Sequence, residues 1–220
     1  MQLNVGVLGG TGPAGKGLAA RLASVGVGVV IGSRSQERAE TACRSIQERW
    51  PARRLSVAPG DNAAAAEADI VVVATPWEAS AATAASVAKQ LDAKVVVSMA
   101  NAITRMGHEF EPLVPPRGSV AAHVQSAVPG ALVAAALHHL PARSLADLDT
   151  PVESDVLICS DHPSAYEVTA ELVDLIPRLR PLNAGSLSNA APIEAITAVL
   201  LQLNTRYHTK TAVRFTGIDL

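Results

Sequence analysis

The residues best suited to bind a ligand lie in a glycine-rich loop near the start of the chain. A short apolar strand at 4–8 leads into Gly10-Thr-Gly12-Pro-Ala-Gly15, and a helix is expected over 13–25. This is the G-x-G-x-x-G arrangement with its required strand before and helix after. Gly10 permits the tight turn, Gly12 leaves room for a pyrophosphate, and Gly15 allows close packing of helix and strand. The free N–H groups at the helix start then face the anion, which predicts a dinucleotide site.

The end of the second expected strand indicates which dinucleotide is bound. A chain that binds NAD usually carries Asp or Glu about 20 residues after the glycines, where the carboxylate accepts from the ribose 2′-OH. Here the strand ends in Ser33-Arg34, and Arg38 follows one turn into the next helix. A carboxylate would repel a 2′-phosphate, whereas an arginine fork and a hydroxyl bind one. The sequence therefore predicts NADP(H).

Composition excludes several other functions. Of the 220 residues 49% are hydrophobic, only 3% are aromatic, and the net charge is −2. Few aromatic residues and no basic excess argue against a nucleic-acid partner, and the absence of a long apolar run argues against a membrane partner. Cys43 and Cys159 are far apart and have no metal-ligand spacing, so we expect no metal, no disulfide and a cytoplasmic location.

Strand and helix patterns alternate along the first two thirds of the chain. Strands are expected at 4–8, 28–32, 55–58, 70–74, 94–98 and 132–136, and helices at 13–25, 35–49, 62–67, 77–91 and 119–127. Continuous Val/Ile/Leu runs are typical of a parallel sheet buried on both faces. We therefore predict an α/β fold with a Rossmann-type doubly wound sheet over 1–142, and a loop at 106–116.

The remainder, 143–220, has a different pattern and is expected to form a small C-terminal α+β domain. Its expected elements are strands at 155–159 and 179–182 and helices at 164–176 and 191–206. The last helix is strongly apolar and should pack on the first domain, on a second subunit, or on both.

Few residues are candidates for catalysis. His138 and His139 follow a strand end at the ligand-binding edge, where one imidazole is a candidate to donate a hydrogen bond or to move a proton. No serine elbow or carboxylate pair is present, and hydride transfer needs neither because the cofactor carries the reactivity. The residues alone thus indicate an NADPH-binding α/β oxidoreductase; a reductase of small imines or carbonyls and a non-catalytic NADPH sensor stay open as alternatives.

Five motifs together resemble NADPH-dependent coenzyme F420 reductases, also called F420:NADP oxidoreductases, over nearly the whole chain. They are Gly9–Gly17, Gly32-Ser-Arg34, Thr75-Pro-Trp-Glu78, Leu137-His-His-Leu-Pro-Ala142 and Asn183-Ala-Gly-Ser-Leu-Ser-Asn189. The resemblance implies reversible hydride transfer between NADP(H) and the deazaflavin F420, in a cleft completed by 143–220, and a homodimer. Met99-Ala-Asn101 departs from the more proline-containing form of its motif, and Arg38 stands where lysine also occurs.

The resemblance also implies roles for individual residues. Thr11, Gly12, Pro13 and Ala14 would hold the pyrophosphate region, and Thr11, Ser33, Arg34 and Arg38 would surround the 2′-phosphate. Trp77, Asn101 and Ala142 would lie along NADP(H) toward the nicotinamide. His138 and Leu140 would border the deazaflavin ring, with His138 orienting or polarising it, and the loop Asn183–Asn189 would shape that pocket near the carboxyl edge of the sheet.

Overall fold

Valine-rich runs form the middle of the central sheet. In the computed structural model, which describes residues 3–218, the segments Ile70–Val73 and Val95–Ser98 are strands whose residues are all buried. Strands covered on both faces carry no polar side, which explains their uninterrupted apolar sequence.

The described residues contain ten strands, nine α-helices and one 3-10 helix, which covers Leu187–Asn189. The strands are β1 (Asn4–Leu8), β2 (Gly28–Gly32), β3 (Val57–Gly60), β4 (Ile70–Val73), β5 (Val95–Ser98), β6 (Ile103–Met106), β7 (Glu109–Pro112), β8 (Leu132–Ala135), β9 (Ser154–Ser160) and β10 (Leu179–Asn183). The helices are α1 (Pro13–Ser24), α2 (Gln36–Arg49), α3 (Asn62–Ala66), α4 (Trp77–Ala85), α5 (Ala88–Leu91), α6 (Val120–Ala127), α7 (Ala142–Leu145), α8 (Pro163–Asp174) and α9 (Ala190–Tyr207). Within 3–218, no helix is both long and apolar enough to cross a bilayer.

Eight strands form one sheet in the order β10-β9-β8-β5-β4-β1-β2-β3. From β3 to β8 all neighbouring strands are parallel. The order 3-2-1-4-5 is that of a dinucleotide-binding half, with the crevice at the carboxyl ends of the strands. The predicted Rossmann-type fold is confirmed.

The last two strands reverse direction. β9 pairs antiparallel with β8 through Ala134↔Ser160 and Ala135↔Cys159, and β10 is parallel to β9. The segment 143–220 therefore extends the same sheet at its edge, and a division into two domains at residue 142 stays a prediction.

Three local expectations were wrong. The region expected as a loop at 106–116 contains most of a hairpin, in which β6 pairs antiparallel with β7. The helix expected over 77–91 is two helices, α4 and α5, and the short helix α7 was not expected. Short elements carry too few periods for a hydrophobic pattern to reveal them.

Two hydrophobic layers cover the sheet. One layer includes Leu18 and Leu22 of α1, Ile46 of α2 and Leu172 of α8. The other layer is built from smaller side chains, such as Ala84 of α4 and Val124 of α6, and it reaches Ala190 at the start of α9. The packed sheet holds the loops at its carboxyl edge in fixed relative positions.

Candidate functional site

Loops from successive strands are joined at the carboxyl edge by hydrogen bonds. The Gly10 N–H donates to the Gly32 carbonyl over 3.1 Å, which joins the loops after β1 and β2. On the other side of β1, the Asn101 side-chain amide donates to the His138 carbonyl over 2.7 Å, joining the loops after β5 and β8. The loops at the carboxyl edge therefore form one continuous surface across which an extended ligand can bind.

The glycine loop has the geometry that its sequence predicts. A Cβ built on Gly15 would lie 2.7 Å from the Gly10 Cα, so the helix can approach the loop only because residue 15 has no side chain. A Cβ built on Gly12 would have no atom within 4 Å. Gly12 is also the N-cap of α1, and no side chain bonds to the first N–H groups of that helix. The open space and the uncapped helix start together suit an anion.

The end of β2 presents two cationic side chains to solvent. Ser33 is buried, and its hydroxyl accepts from the Ser35 N–H over 3.2 Å; Ser35 in turn caps α2 by accepting from the Arg38 N–H over 3.3 Å. The side chains of Arg34 and Arg38 are exposed, and neither takes part in an ion pair among residues 3–218. Thr11 of the glycine loop is half-buried. These groups leave a cationic corner beside the glycine loop.

Trp77 occupies the next part of the edge, at the first position of α4. Its half-buried side chain packs against Ala100, Ala102 and Val120. The preceding turn is held close to the glycine loop, since a Cβ on Gly9 would lie 2.2 Å from the Thr75 Cγ2. Trp77 is thereby fixed on the side of β4 away from the cationic corner.

Asn101 is held from two sides. Its amide donates to the His138 carbonyl, and its carbonyl oxygen accepts from the Thr197 hydroxyl over 3.3 Å. Thr197 belongs to α9, so the final helix reaches the carboxyl edge and helps to orient a predicted site residue. Sequence reasoning missed Thr197, because a contact across 96 residues leaves no local signal.

His138 and His139 are both buried, with 5% and 3% of their surface exposed. Burial lowers the pKa of His138 to about 3, so its imidazole is neutral at physiological pH. Neither ring nitrogen of His138 has a hydrogen bond of good geometry, although the carbonyls of Ala136 and Ile193 lie nearby. His139 Nε2 lies 2.9 Å from the Asp155 carbonyl oxygen and ties the loop after β8 to β9. The expectation that one of these rings moves a proton near neutral pH finds no support in this environment.

Leu140 and Ala142 complete the loop after β8. Leu140 is buried in the core, and Ala142 is the half-buried first residue of α7. A Cβ on Gly17 would lie 2.8 Å from the Ala142 carbonyl oxygen, so the glycine lets α7 rest against α1. Pro13 is exposed and Ala14 half-buried at the start of α1. The carboxyl edge thus brings the predicted residues of the glycine loop, β2, β4, β5 and β8 onto one side of the sheet.

The loop Asn183–Asn189 does not lie where the sequence reading placed it. Because β10 runs antiparallel to β8, its carboxyl end points away from the carboxyl edge. The Ser160 N–H donates to the Gly185 carbonyl, and the Ser160 hydroxyl donates to the Val133 carbonyl, which places the loop beside the amino half of β8. The expected position at the carboxyl edge was therefore wrong, and α9, which starts from this loop, reaches the edge instead.

Glu194 is a second α9 residue that sequence reasoning missed. Its carboxylate accepts from the N–H groups of Val120 and Ala121, at 2.8 and 3.1 Å, in the first turn of α6. Burial raises the pKa of Glu194 to about 7, against the opposing effect of these two donors. The only signal in the sequence is that Glu194 is the one acidic residue of α9.

The chemistry available at this edge is that of binding and positioning. Burial raises the pKa of the Cys43 and Cys159 thiols to about 11, so neither is a thiolate at neutral pH. Among residues 3–218, no cluster of His, Cys, Asp or Glu is arranged to hold a metal ion.

Comparison with known proteins gives consistent relatives. Residues 4–102 match the family described as NADP oxidoreductase, coenzyme F420-dependent. The chain is 34% identical over 224 residues to the F420-dependent NADP reductase of Methanocaldococcus jannaschii, covering 99% of this chain and 100% of that protein. It is 37% identical over 224 residues to the enzyme of that name from Methanothermobacter thermautotrophicus, covering 99% and 97%. A crystal structure of a putative F420-dependent NADP reductase from Arthrobacter sp. FB24 superposes with a TM-score of 0.77 at 25% identity, over 98% of this chain and 99% of that one.

Proposed function

We propose that this chain, which belongs to the family of F420-dependent NADP oxidoreductases, binds NADP(H) across the loops at the carboxyl edge of its sheet and F420 beside the nicotinamide. It is an F420-dependent NADP reductase, and its substrates are NADP(H) and F420. The chemistry that these substrates supply when bound is reversible hydride transfer between the nicotinamide C4 and the deazaflavin C5. The chain has to bind, orient and shield them.

The observation that carries the NADP(H) assignment is the open space at Gly12. The pyrophosphate is assigned to the backbone of Thr11, Gly12, Pro13 and Ala14, where the first N–H groups of α1 have no side-chain cap. Backbone donors at a helix start match an anion in both geometry and dipole direction.

The 2′-phosphate is assigned to the cationic corner at the end of β2. Arg34 and Arg38 extend into solvent with no ion pair among the described residues, so a phosphate does not have to displace a carboxylate. The hydroxyl groups of Ser33 and Thr11 are assigned as further donors to the same phosphate. Two guanidinium groups, together with Ser33-Arg34 in place of the acidic residue expected after β2 for NAD(H), favour NADP(H) over NAD(H).

The nicotinamide half is assigned to Trp77, Asn101, Leu140 and Ala142. Asn101 is well suited to a positioning role, because its hydrogen bonds to the His138 carbonyl and from Thr197 fix its rotamer. Trp77 and Leu140 supply apolar surface that limits the access of water to the reacting carbons.

The deazaflavin is assigned to the wall formed by the loop after β8 and by α9. His138, as a neutral and buried ring, is proposed to form part of this wall and to orient or polarise the deazaflavin without exchanging a proton. Because direct hydride transfer to the deazaflavin C5 needs no protein acid, a neutral His138 is compatible with it. A reductase of carbonyls or imines usually needs a proton donor beside the acceptor carbon, and a neutral, buried His138 does not supply one. In this assignment 143–220 completes the cleft through α9.

Two further features belong to the same proposal. The enzyme is proposed to be a homodimer, since the outer face of α9 is apolar and partly exposed. It is proposed to work in the cytoplasm, because Cys43 and Cys159 are buried free thiols.

Anaerobic mixing tests the proposed function. The purified protein and oxidised deazaflavin are combined with NADPH in one reaction and with NADH in a second, and the absorbance of the oxidised deazaflavin is followed in both. We expect rapid loss of oxidised deazaflavin with NADPH and much slower loss with NADH. Turnover of a small imine or carbonyl in place of the deazaflavin would contradict the assignment.

A further inference from the structure

A groove on the outside of α1 collects positive charge, although the whole chain has a net charge of −2. It is walled by α1, the second half of α2, α7 and the segment that follows α9, and its volume is about 530 Å³, which is within the usual range for small-molecule sites. Four cationic side chains and one carboxylate line it: Lys16, Arg49, Arg143, Lys210 and Asp147. We call this feature the α1–α7 groove.

The four cations of the groove have no acidic partner. None of them takes part in an ion pair within the described range 3–218. The one carboxylate of the groove, Asp147, lies within electrostatic reach of Arg21, so a further positive charge stands behind the wall. A hollow lined mostly by one sign of charge concentrates ions of the opposite sign, so the groove is suited to an anionic ligand.

A buried arginine fixes the α7 wall of the groove. Arg21 of α1 is 6% exposed. Its guanidinium donates to the carbonyls of Ser144, Leu145 and Thr150, over 2.7, 3.2 and 3.0 Å. These bonds hold α7 and the turn after it against α1. The two walls are therefore in place before a ligand binds, and a preformed site loses less entropy on binding.

The floor of the groove is apolar. Ile46 is buried there, and the half-buried Trp50 has the guanidinium carbons of Arg49 and Arg53 each 5.4 Å from its ring centroid. Arg53 is paired with Asp149 over 2.9 Å, whereas Arg49 keeps its charge for a ligand. A cationic rim above an apolar floor suits a flexible chain that carries anionic groups on a carbon skeleton.

The groove begins where the proposed substrate sites end. Pro13, assigned to the pyrophosphate, and Ala142, assigned to the nicotinamide half, both line it. Two of its walls continue the proposed deazaflavin wall, because α7 follows the loop after β8 and Lys210 follows α9. A second hollow of about 630 Å³ shares Arg143 and Lys210 and extends to Asn204 in α9. A group attached to the deazaflavin can therefore reach the groove along these two elements.

We propose that the α1–α7 groove binds the anionic side chain of F420, which carries a phosphodiester and glutamate carboxylates beyond the ribityl chain of the ring. The guanidinium forks of Arg49 and Arg143 match phosphate and carboxylate oxygens, and Lys16 and Lys210 add point charges. The groove holds a part of the acceptor that does not react, so it raises affinity and leaves hydride transfer to the ring site. This inference rests on the proposed function and specifies how its acceptor is recognised.

Steady-state kinetics with two acceptors test the inference. F420 is compared, at saturating NADPH and without oxygen, with the same deazaflavin ring that carries only the ribityl chain. The proteins are wild type, Arg49→Ala and Arg143→Ala, with Arg44→Ala as the matched control, because Arg44 is an exposed arginine of α2 that does not line the groove. Since both groove arginines are exposed, we expect each change to raise the KM for F420 about fivefold at unchanged kcat. The KM for the shorter acceptor and the Kd for NADPH should not change, and Arg44→Ala should behave as wild type.

The other outcomes separate the groove from the proposed function. A wild type that reduces neither acceptor would contradict the proposed function itself. Unchanged KM values for F420 in both groove variants would keep the proposed function and overturn the groove. An equal rise of KM for both acceptors, or a loss of NADPH affinity instead, would assign the groove to the ring or to an NADPH phosphate and would also overturn the inference. If both variants fail to fold, salt decides with wild type: added KCl should raise the KM for F420 only, and equal changes for both acceptors would refute the groove.

Discussion

The carboxyl group of Glu194 offers a test in which two opposing effects compete. Burial, with 4% of the residue exposed, favours the neutral acid, while the N–H groups of Val120 and Ala121 at the start of α6 favour the carboxylate. Burial dominates, and it raises the pKa from 4.5 to about 7. The question is whether desolvation exceeds the pull of a helix N-terminus at this position.

The sign and size of the effect on stability follow from that pKa. Between pH 4.5 and about 7 the folded protein keeps a proton that the unfolded chain has released. The stability contributed by this difference is fully present below pH 4.5 and is lost as the pH rises through 7. At about 1.4 kcal/mol per pH unit, the loss amounts to about 3 kcal/mol. Residue 194 cannot titrate in Glu194→Gln, so this variant does not show the loss of stability.

Urea unfolding followed by circular dichroism measures the effect. The free energy of unfolding is determined for wild type and Glu194→Gln over a pH series. The contributions of the other titrating groups cancel in the difference between the two proteins. We expect wild type to lose about 3 kcal/mol relative to the variant between mildly acidic and mildly basic pH. Glu167→Gln, an exposed carboxylate on α8, serves as the matched control. The reasoning would be refuted if the difference in free energy of unfolding between wild type and Glu194→Gln did not change with pH, or if wild type became more stable relative to the variant as the pH rises.

Four further substitutions test the assigned contacts. Arg34→Ala should weaken NADPH binding by about tenfold or more and leave NADH binding little changed, because it removes the proposed charge-assisted contact to the 2′-phosphate; equal losses in fluorescence titrations would contradict this. Gly12→Val should fold, since residue 12 has φ −75° and ψ 168° and open space around its Cβ position, yet bind neither cofactor. Gly15→Ala should instead lower the melting temperature. Normal NADPH binding by Gly12→Val would contradict the assignment of the pyrophosphate to this loop and leave the loop as a simple turn. His138→Ala should lower deazaflavin turnover more than NADPH affinity, and an unchanged rate would remove His138 from the deazaflavin wall.

The glycine loop and the middle of the sheet were predictable because their causes are local. The strand expected at 70–74 has an unbroken apolar sequence that fits burial on both faces, and β4 covers Ile70–Val73, one residue shorter. The packing roles predicted for Gly10 and Gly15 from their spacing agree with the close contacts that a Cβ would make at each position, while the pyrophosphate role of Gly12 stays a prediction. Both signals lie within a few residues and need no knowledge of distant packing.

Strand direction and long-range contacts were not predictable in this way. A run such as Asp155-Val-Leu-Ile-Cys159 indicates a strand but not its direction, and the antiparallel pairing of β9 moved the loop Asn183–Asn189 away from the carboxyl edge. Thr197 and Glu194 act on residues 96 and 74 positions away, so their roles appear only once α9 is packed. The burial of His138, which lowers its pKa, likewise depends on the packing of α9 and β9 around the loop after β8.

Transfer of label from NADPH to the deazaflavin tests the central claim most directly. NADPH deuterated on one face of C4 is mixed anaerobically with the enzyme and oxidised deazaflavin in ordinary water, and the reduced deazaflavin is examined by mass spectrometry and NMR. If the chain holds the two reacting carbons in contact and excludes water, one face of C4 will deliver its deuterium to C5 with no exchange into solvent. Hydrogen from solvent at C5, or no turnover with any deazaflavin, would contradict the account.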